Sequence, residues 1–236
     1  LVMSNPASGP VTLEPREVPL GGPRSMLVRR TLPHRTIRTV GPFCFVDHYG
    51  PASTTGPDGH PMVVPPHPHI GLQTVSWLLT GTVEHRDSVG SIQRIRPGEL
   101  NLMTAGAGIA HSEYSVGDTD LHGVQLWVAL PDAARDQAPH FEHHADLPSV
   151  TAGKVTARIV MGALLGEASK AQTYSPMICA ELQLSPGRHR VAVAPEFEHG
   201  VLAVTNGVDV DRTAVAHTAL HYVPWGRVAL ELSVDT

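Results

Sequence analysis

Glycine and proline break this sequence too often for helices to carry it. The chain holds 22 glycines and 21 prolines in 236 residues. Glycine loosens the backbone and proline removes an N–H donor, so helices are interrupted while short strands and turns are favoured. Between the breaks lie apolar or alternating runs such as "MLVRRTLP", "FCFVDHYGP", "TVSWLLTG", "GVQLWVALP", "KVTARIVMG", "MICAELQLSPG" and "LHYVPWGRVALELSV". These read as β-strands. Only "LLGEASKAQ" hints at a helix, so the expected fold is all-β. Asn206-Gly207 reads as a hairpin turn, because both residues tolerate positive φ.

The pattern divides along the chain. Residues 1–23 read as an arm or edge strand, and "PASTTGPDGHP" (51–61) as a loop. The polar, proline-containing "DAARDQAPHFEHHADLPS" (132–149) reads as a linker between a domain at 1–131 and another at 150–236. "GTVEHRD" followed by a strand and "RPGEL" is echoed by "NGVDVDR", a strand and "VPWGRVAL", which fits a duplicated β-barrel. The second copy has no His-x-His, so any chemistry is expected in the first.

Charge and composition exclude several classes. The net charge is −5 and no Lys/Arg run could follow a phosphate backbone, so direct nucleic-acid binding is not expected. No apolar run approaches the roughly 20 residues of a membrane span. "LVMSNPASGPVTLEP" lacks the basic and apolar regions of a secretion signal. Cys44 and Cys179 are too few for a disulfide framework and read as free, inert thiols, consistent with a cytoplasmic protein.

The abundant chemical class is histidine, with 15 residues. In a strand, residues two apart share a face. His67 and His69 therefore project together, as do His111 and Glu113 in "MTAGAGIAHSEYS". Two such pairs on facing strands would converge three imidazoles and a carboxylate on one point. That donor set suits one divalent first-row ion, Fe(II), Mn(II), Ni(II), Cu(II) or Zn(II), and not Ca²⁺ or Mg²⁺. Four ligands leave a position open, and an open site implies chemistry.

Other polar residues are weighed against this set. His85 and Asp87 alternate on one face and are candidates to orient the ligands. Gln125 and Trp127 are candidates for lining the pocket. His140, His143 and His144 fall in the linker and read as solvated. His189, His199, His217 and His221 have no partner at strand spacing and read as structural or exposed. Gly106 and Gly108 read as permitting a tight approach to His111.

The segments "GPFCFVDHYGP", "HPHIGLQTVSWLLTG", "EHRDSVGS", "RPGELNLMTAGAGIAHSE" and "GVQLWVALP" together resemble the pirin family of the cupin superfamily, densely from Gly41 to Pro131. The resemblance implies a bicupin, two antiparallel jelly-roll-like β-barrels packed face to face, with one metal, usually Fe(II), in the first. It places the ligands on His67, His69, His111 and Glu113. Where cupins in general place a glutamate a few residues after His-x-His this chain has Gln73, an uncharged and poor ligand. Pirins usually run several tens of residues beyond Thr236, so the second barrel is expected to be incomplete.

The resemblance further implies a dioxygenase of the quercetin 2,3-dioxygenase type. Its substrates would be a small aromatic molecule such as a flavonol and O₂. Glu113 would be the catalytic carboxylate that takes the substrate's 3-hydroxyl proton before the heterocycle opens with loss of carbon monoxide. The alternative implied by the family is a non-catalytic, iron-dependent redox sensor that binds a regulatory protein partner. A monomer is expected.

Overall fold

The computed structural model describes residues 9–20, 26–52, 62–117 and 119–235. Every regular element among them is a β-strand. In chain order these are β1 (Val11–Leu13), β2 (Arg16–Pro19), β3 (Leu27–Leu32), β4 (Phe43–Ala52), β5 (Val63–His69), β6 (Leu72–Thr80), β7 (Val83–Asp87), β8 (Ile92–Ile95), β9 (Leu100–Thr104), β10 (Ile109–Ser115), β11 (Leu121–Ala129) and β12 (His140–His144). They continue with β13 (Ser149–Ala152), β14 (Val155–Leu164), β15 (Glu167–Ala168), β16 (Ile178–Leu184), β17 (Gly187–Ala192), β18 (His199–Leu202), β19 (Val208–Val210), β20 (Thr213–Val215), β21 (Leu220–Val223) and β22 (Ala229–Val234). No helix among the described residues is long and apolar enough to cross a membrane.

The chain forms two compact units. One comprises residues 16–30 and 45–147; the other takes in 31–44, 148–236 and the described part of 1–15. The first unit holds a four-stranded sheet, β5-β10-β7-β8, and a seven-stranded sheet, β12-β9-β6-β11-β4-β3-β2. Inward-facing apolar side chains from both sheets, among them Val28, Tyr49, Val64, Leu78, Val83, Ile95 and Leu121, form one buried cluster. Burial of this apolar surface is the main drive for the sheets to pair.

The second unit carries its own buried cluster, including Val155, Val191, Val210, Val223, Leu230 and Leu232. Its strand β21 pairs with β1 in the register Val11 to Tyr222 and Leu13 to Leu220. The expected N-terminal edge strand is therefore an edge of this unit.

Several local expectations differ from the structure. Residues 140–144, expected within a linker, form β12, which pairs antiparallel with β9 from His140–Thr104 to His144–Leu100. The alternation of His140, Glu142 and His144 was masked by the polar composition around it. No helix forms in "LLGEASKAQ"; Leu165 and Gly166, both at positive φ, turn β14 back onto β15. Asn206-Gly207 does not close a hairpin, because β18 pairs with β21 while β19 pairs with β20 and β22. The hairpin turn lies at Asp211-Arg212, where both residues have positive φ. Most of the loop expected at 51–61 lies outside the described residues.

Candidate metal centre

The candidate ligands meet as neighbours within one sheet, not across the core from facing strands as the spacing suggested. Strand β10 lies between β5 and β7. His111 is the direct cross-strand partner of His67 on one side and of Asp87 on the other, while Glu113 opposes His85. Along β7 the same inward face runs Val83, His85, Asp87, so the strand passes from the apolar cluster into a polar end within one pleat.

Strand β5 is an edge, and its composition explains how it can be one. Pro65, Pro66 and Pro68 have no N–H to donate, which is tolerated at an edge and blocks further pairing. The register shifts between His111 and Glu113 on β10, where β5 contributes an extra residue between Val64 and His67. This bulge re-aims the β5 side chains. His67 then bonds back to its own strand, its Nδ1 lying 2.9 Å from the Pro65 carbonyl oxygen.

Three imidazole nitrogens converge as a result. The Nε2 atom of His69 lies 3.0 Å from Nε2 of His67 and 3.0 Å from Nε2 of His111. The three residues form one group able to hold an ion, with His69 and His111 buried and His67 half-buried. Nitrogens bound at about 2.1 Å to one first-row ion, at right angles to each other, lie about 3.0 Å apart. The donor set thus fits the metal that the fold family implies.

Burial, reinforced by the neighbouring His111 and His67 rings, pushes His69 down from 6.5 to about 4, with Glu113 pulling the other way. Burial, with His85 and His67 beside it, pushes His111 down from 6.5 to about 3 against the pull of Asp87. Both rings are therefore neutral near pH 7, the form that donates a lone pair to a metal.

Glu113 stands beside this trio but is not part of the same tight group. Its carboxylate groups instead with His85 and His111. It is buried, and its Oε1 accepts a hydrogen bond from the Ser76 hydroxyl at 2.9 Å. Its charge also adds to burial in raising the Tyr49 hydroxyl pKa well above the usual value. Gln73 points elsewhere and donates from Nε2 to Thr104 Oγ1 at 2.9 Å.

A layer of partners holds the histidines. His111 Nδ1 lies 3.3 Å from His85 Nδ1, and His85 Nε2 lies 3.0 Å from Asp87 Oδ2. The other Asp87 oxygen accepts the backbone N–H groups of Val89 and Ser91 at 3.0 and 2.9 Å. Burial alone would raise the Asp87 carboxyl; hydrogen bonds from His85 and Ser91 outweigh it and hold the carboxyl below its usual range.

Trp127 stands edge-on to His69, with ring centres 5.0 Å apart. Its indole is stacked on Phe45 at 3.9 Å, and the Arg30 guanidinium lies 4.2 Å over that ring while forming a double hydrogen bond with Asp47. Trp127 thus borders the centre, and Gln125 lies near it, 3.3 Å from Ser76 Oγ.

The sequence reading missed Ser76, Phe45 and Phe141. Phe141, on β12, stacks on His85 with ring centres 4.5 Å apart. Ser76 was legible as a hydroxyl at an inward position of β6, a strand that also carries Gln73 and Thr74. Phe141 carried no such signal, because its strand was read as a linker. Gly106 makes its tight approach to the Gln137 carbonyl rather than to His111, and its φ is +50°. His140, His143 and His144 are half-buried strand residues, with His143 bonded to Asn101 and His144 to Glu142. Among the described residues, the two groups able to hold an ion both lie in the first unit.

Known proteins share this arrangement of chain. The pirin family's sequence model matches residues 25–128, a span that includes all four candidate ligands. A Pseudomonas aeruginosa protein, provisionally named a quercetin 2,3-dioxygenase, is 43% identical over 93% of this chain and 69% of its own length. A pirin-like protein of Caulobacter vibrioides is 41% identical over 78% of this chain and 66% of its own length. The crystal structure of quercetin 2,3-dioxygenase from Acinetobacter baumannii superposes with a TM-score of 0.91 at 36% identity, covering 97% of this chain and 76% of that one. With an all-β fold of the bicupin type and this extent of likeness, the chain belongs to the pirin family.

Proposed function

We propose that this protein is a metal-dependent dioxygenase that opens the heterocycle of a flavonol with O₂ and releases carbon monoxide. His67, His69, His111 and Glu113 would hold one divalent ion, Fe(II) first among the first-row candidates. The observation that carries this reading is the convergence of three imidazole nitrogens, with His69 Nε2 3.0 Å from each of the other two, beside a buried carboxylate. The names of the Pseudomonas and Acinetobacter relatives support the choice of reaction.

When bound, the ion supplies Lewis acidity toward a substrate hydroxyl and redox activity toward O₂. The chain's own residues supply the rest. Ser76 holds Glu113 in place through Oε1, and the Glu113 carboxylate is the base offered to the proton of the flavonol 3-hydroxyl. Removing that proton leaves the electron-rich enolate that reacts with O₂. Trp127, braced by Phe45, gives a planar aromatic substrate an apolar border next to His69. The buried surroundings of His69, His111 and Glu113 limit water at the reacting atoms.

Iron-loaded protein incubated with quercetin under air is expected to deplete the flavonol's visible absorbance and to release carbon monoxide. The His69→Ala variant is expected to do neither. Equal rates for the two proteins would overturn the proposal.

A further inference from the structure

The geometry points to Asp87 as a positioning residue that sets, through His85, which nitrogen of His111 is free to bind a metal. The inference rests on the metal reading above and adds to it a residue that touches neither ion nor substrate. Its basis is the unbroken line Asp87 Oδ2, His85 Nε2, His85 Nδ1, His111 Nδ1, with successive contacts of 3.0 and 3.3 Å, ending at His111 Nε2. All three residues lie on adjacent strands, with His111 opposite Asp87. Both histidines are buried.

The direction of the line follows from what each atom can do. A carboxylate only accepts, so His85 Nε2 must carry the hydrogen that meets Asp87. An imidazole whose single N–H sits on Nε2 has a bare Nδ1, so His85 Nδ1 is then an acceptor. It can face His111 Nδ1 only if that nitrogen carries a hydrogen. Neutral His111 is therefore left with a bare Nε2, the atom that lies 3.0 Å from His69 Nε2.

Asp87 is itself held against rotation, since Oδ1 accepts two backbone N–H groups from the turn that follows β7. Phe141 closes one face of the His85 ring and hinders its reorientation. His67 reaches the same tautomer independently, through the Pro65 carbonyl. One ligand is thus oriented by its own backbone and another by a relay two side chains long.

The inference makes a sharp prediction for the near-isosteric variant Asp87→Asn. With Oδ1 still accepting from the turn, the atom facing His85 becomes an NH₂, which only donates. His85 must then present a bare Nε2 and carry its hydrogen on Nδ1. That hydrogen points at His111 Nδ1, which becomes an acceptor, and the His111 hydrogen moves to Nε2. The metal-binding lone pair is lost without a change of shape.

The test combines two readouts. In ¹⁵N-histidine NMR of the metal-free protein, His111 is expected to carry its hydrogen on Nδ1 in the native chain and on Nε2 in Asp87→Asn. Zn(II) affinity, measured by competition with a chromophoric chelator, is expected to fall about 10- to 100-fold in Asp87→Asn. Asp87→Glu, which keeps an acceptor, is expected to recover most of it.

Unchanged Zn(II) affinity in a folded Asp87→Asn protein would overturn the inference. So would a native His111 with its hydrogen on Nε2, a result that needs no variant to fold. Neither readout involves flavonol turnover. Iron-loaded native protein that leaves quercetin intact, while the metal-free chain still binds Zn(II) with the expected tautomer, would sink the proposed reaction and spare the relay.

Discussion

At the scale of single residues, the centre is three converging imidazoles, of which His69 and His111 are kept neutral by burial and neighbouring rings. Removing one removes a donor that the remaining side chains cannot replace. His67→Ala, His69→Ala and His111→Ala are each expected to weaken metal binding by more than about 100-fold, beyond what loss of a supporting partner costs. Isothermal titration with Zn(II) checks this. Acid acts on the same residues.

The folded values of about 4 for His69 and about 3 for His111 lie below the ordinary 6.5. Between those limits the unfolded chain binds protons that the folded, metal-free protein excludes. Stability is therefore complete above about 6.5 and falls as the pH drops toward 4 and then 3. His199 and His221, lowered chiefly by burial, add to the fall with the same sign. Calorimetry of the metal-free protein is expected to show its melting temperature declining across that window and rising nowhere within it.

At the scale of elements, strand spacing made the pairs His67/His69 and His111/Glu113 legible, because a period of two needs no tertiary information. The sequence did not show that β5 and β10 are hydrogen-bonded neighbours, since pairing is set by long-range packing and by the bulge at Pro65-Pro66. Strand β12 was hidden for a related reason. Its polar residues suit an edge strand as well as a loop, and only its partner β9 distinguishes the two.

β12 brings its own consequence at this scale. Phe141→Ala is expected to cost about 2 kcal/mol, through lost aromatic burial, and to loosen the His85 ring beneath it. Chemical denaturation measures the first effect and line broadening of the His85 ring signals the second. Gly106→Ala is expected to cost more than about 1 kcal/mol. Its φ of +50° disfavours a side chain, and an added Cβ would collide with the Gln137 carbonyl.

At the scale of the whole molecule, the two units differ in what a metal can do for them. Among the described residues, both groups of potential ligands lie in the unit built from residues 16–30 and 45–147. An ion at 100 times its dissociation constant stabilises the state that binds it by about 2.7 kcal/mol. Metal loading is therefore expected to increase hydrogen-exchange protection along β5, β7 and β10 while leaving β17 and β22 unchanged. Uniform protection across both units would contradict that confinement. The sequence pattern kept the candidate ligands in the first of its two expected domains, and among the described residues the potential ligand groups fall in one unit. The unit boundaries were not legible, because residues 31–44, starting within β3, return to the second unit.

The partnership of β1 with β21 sets an order of events during synthesis. Val11–Leu13 leave the ribosome long before their neighbours Leu220–Tyr222 are made. The opening strand must wait, unpaired, while everything between is translated. The span ending at residue 147 needs nothing made later to close its own sheets. A nascent chain would therefore complete the unit that carries the candidate ligands well before β1 could join β21.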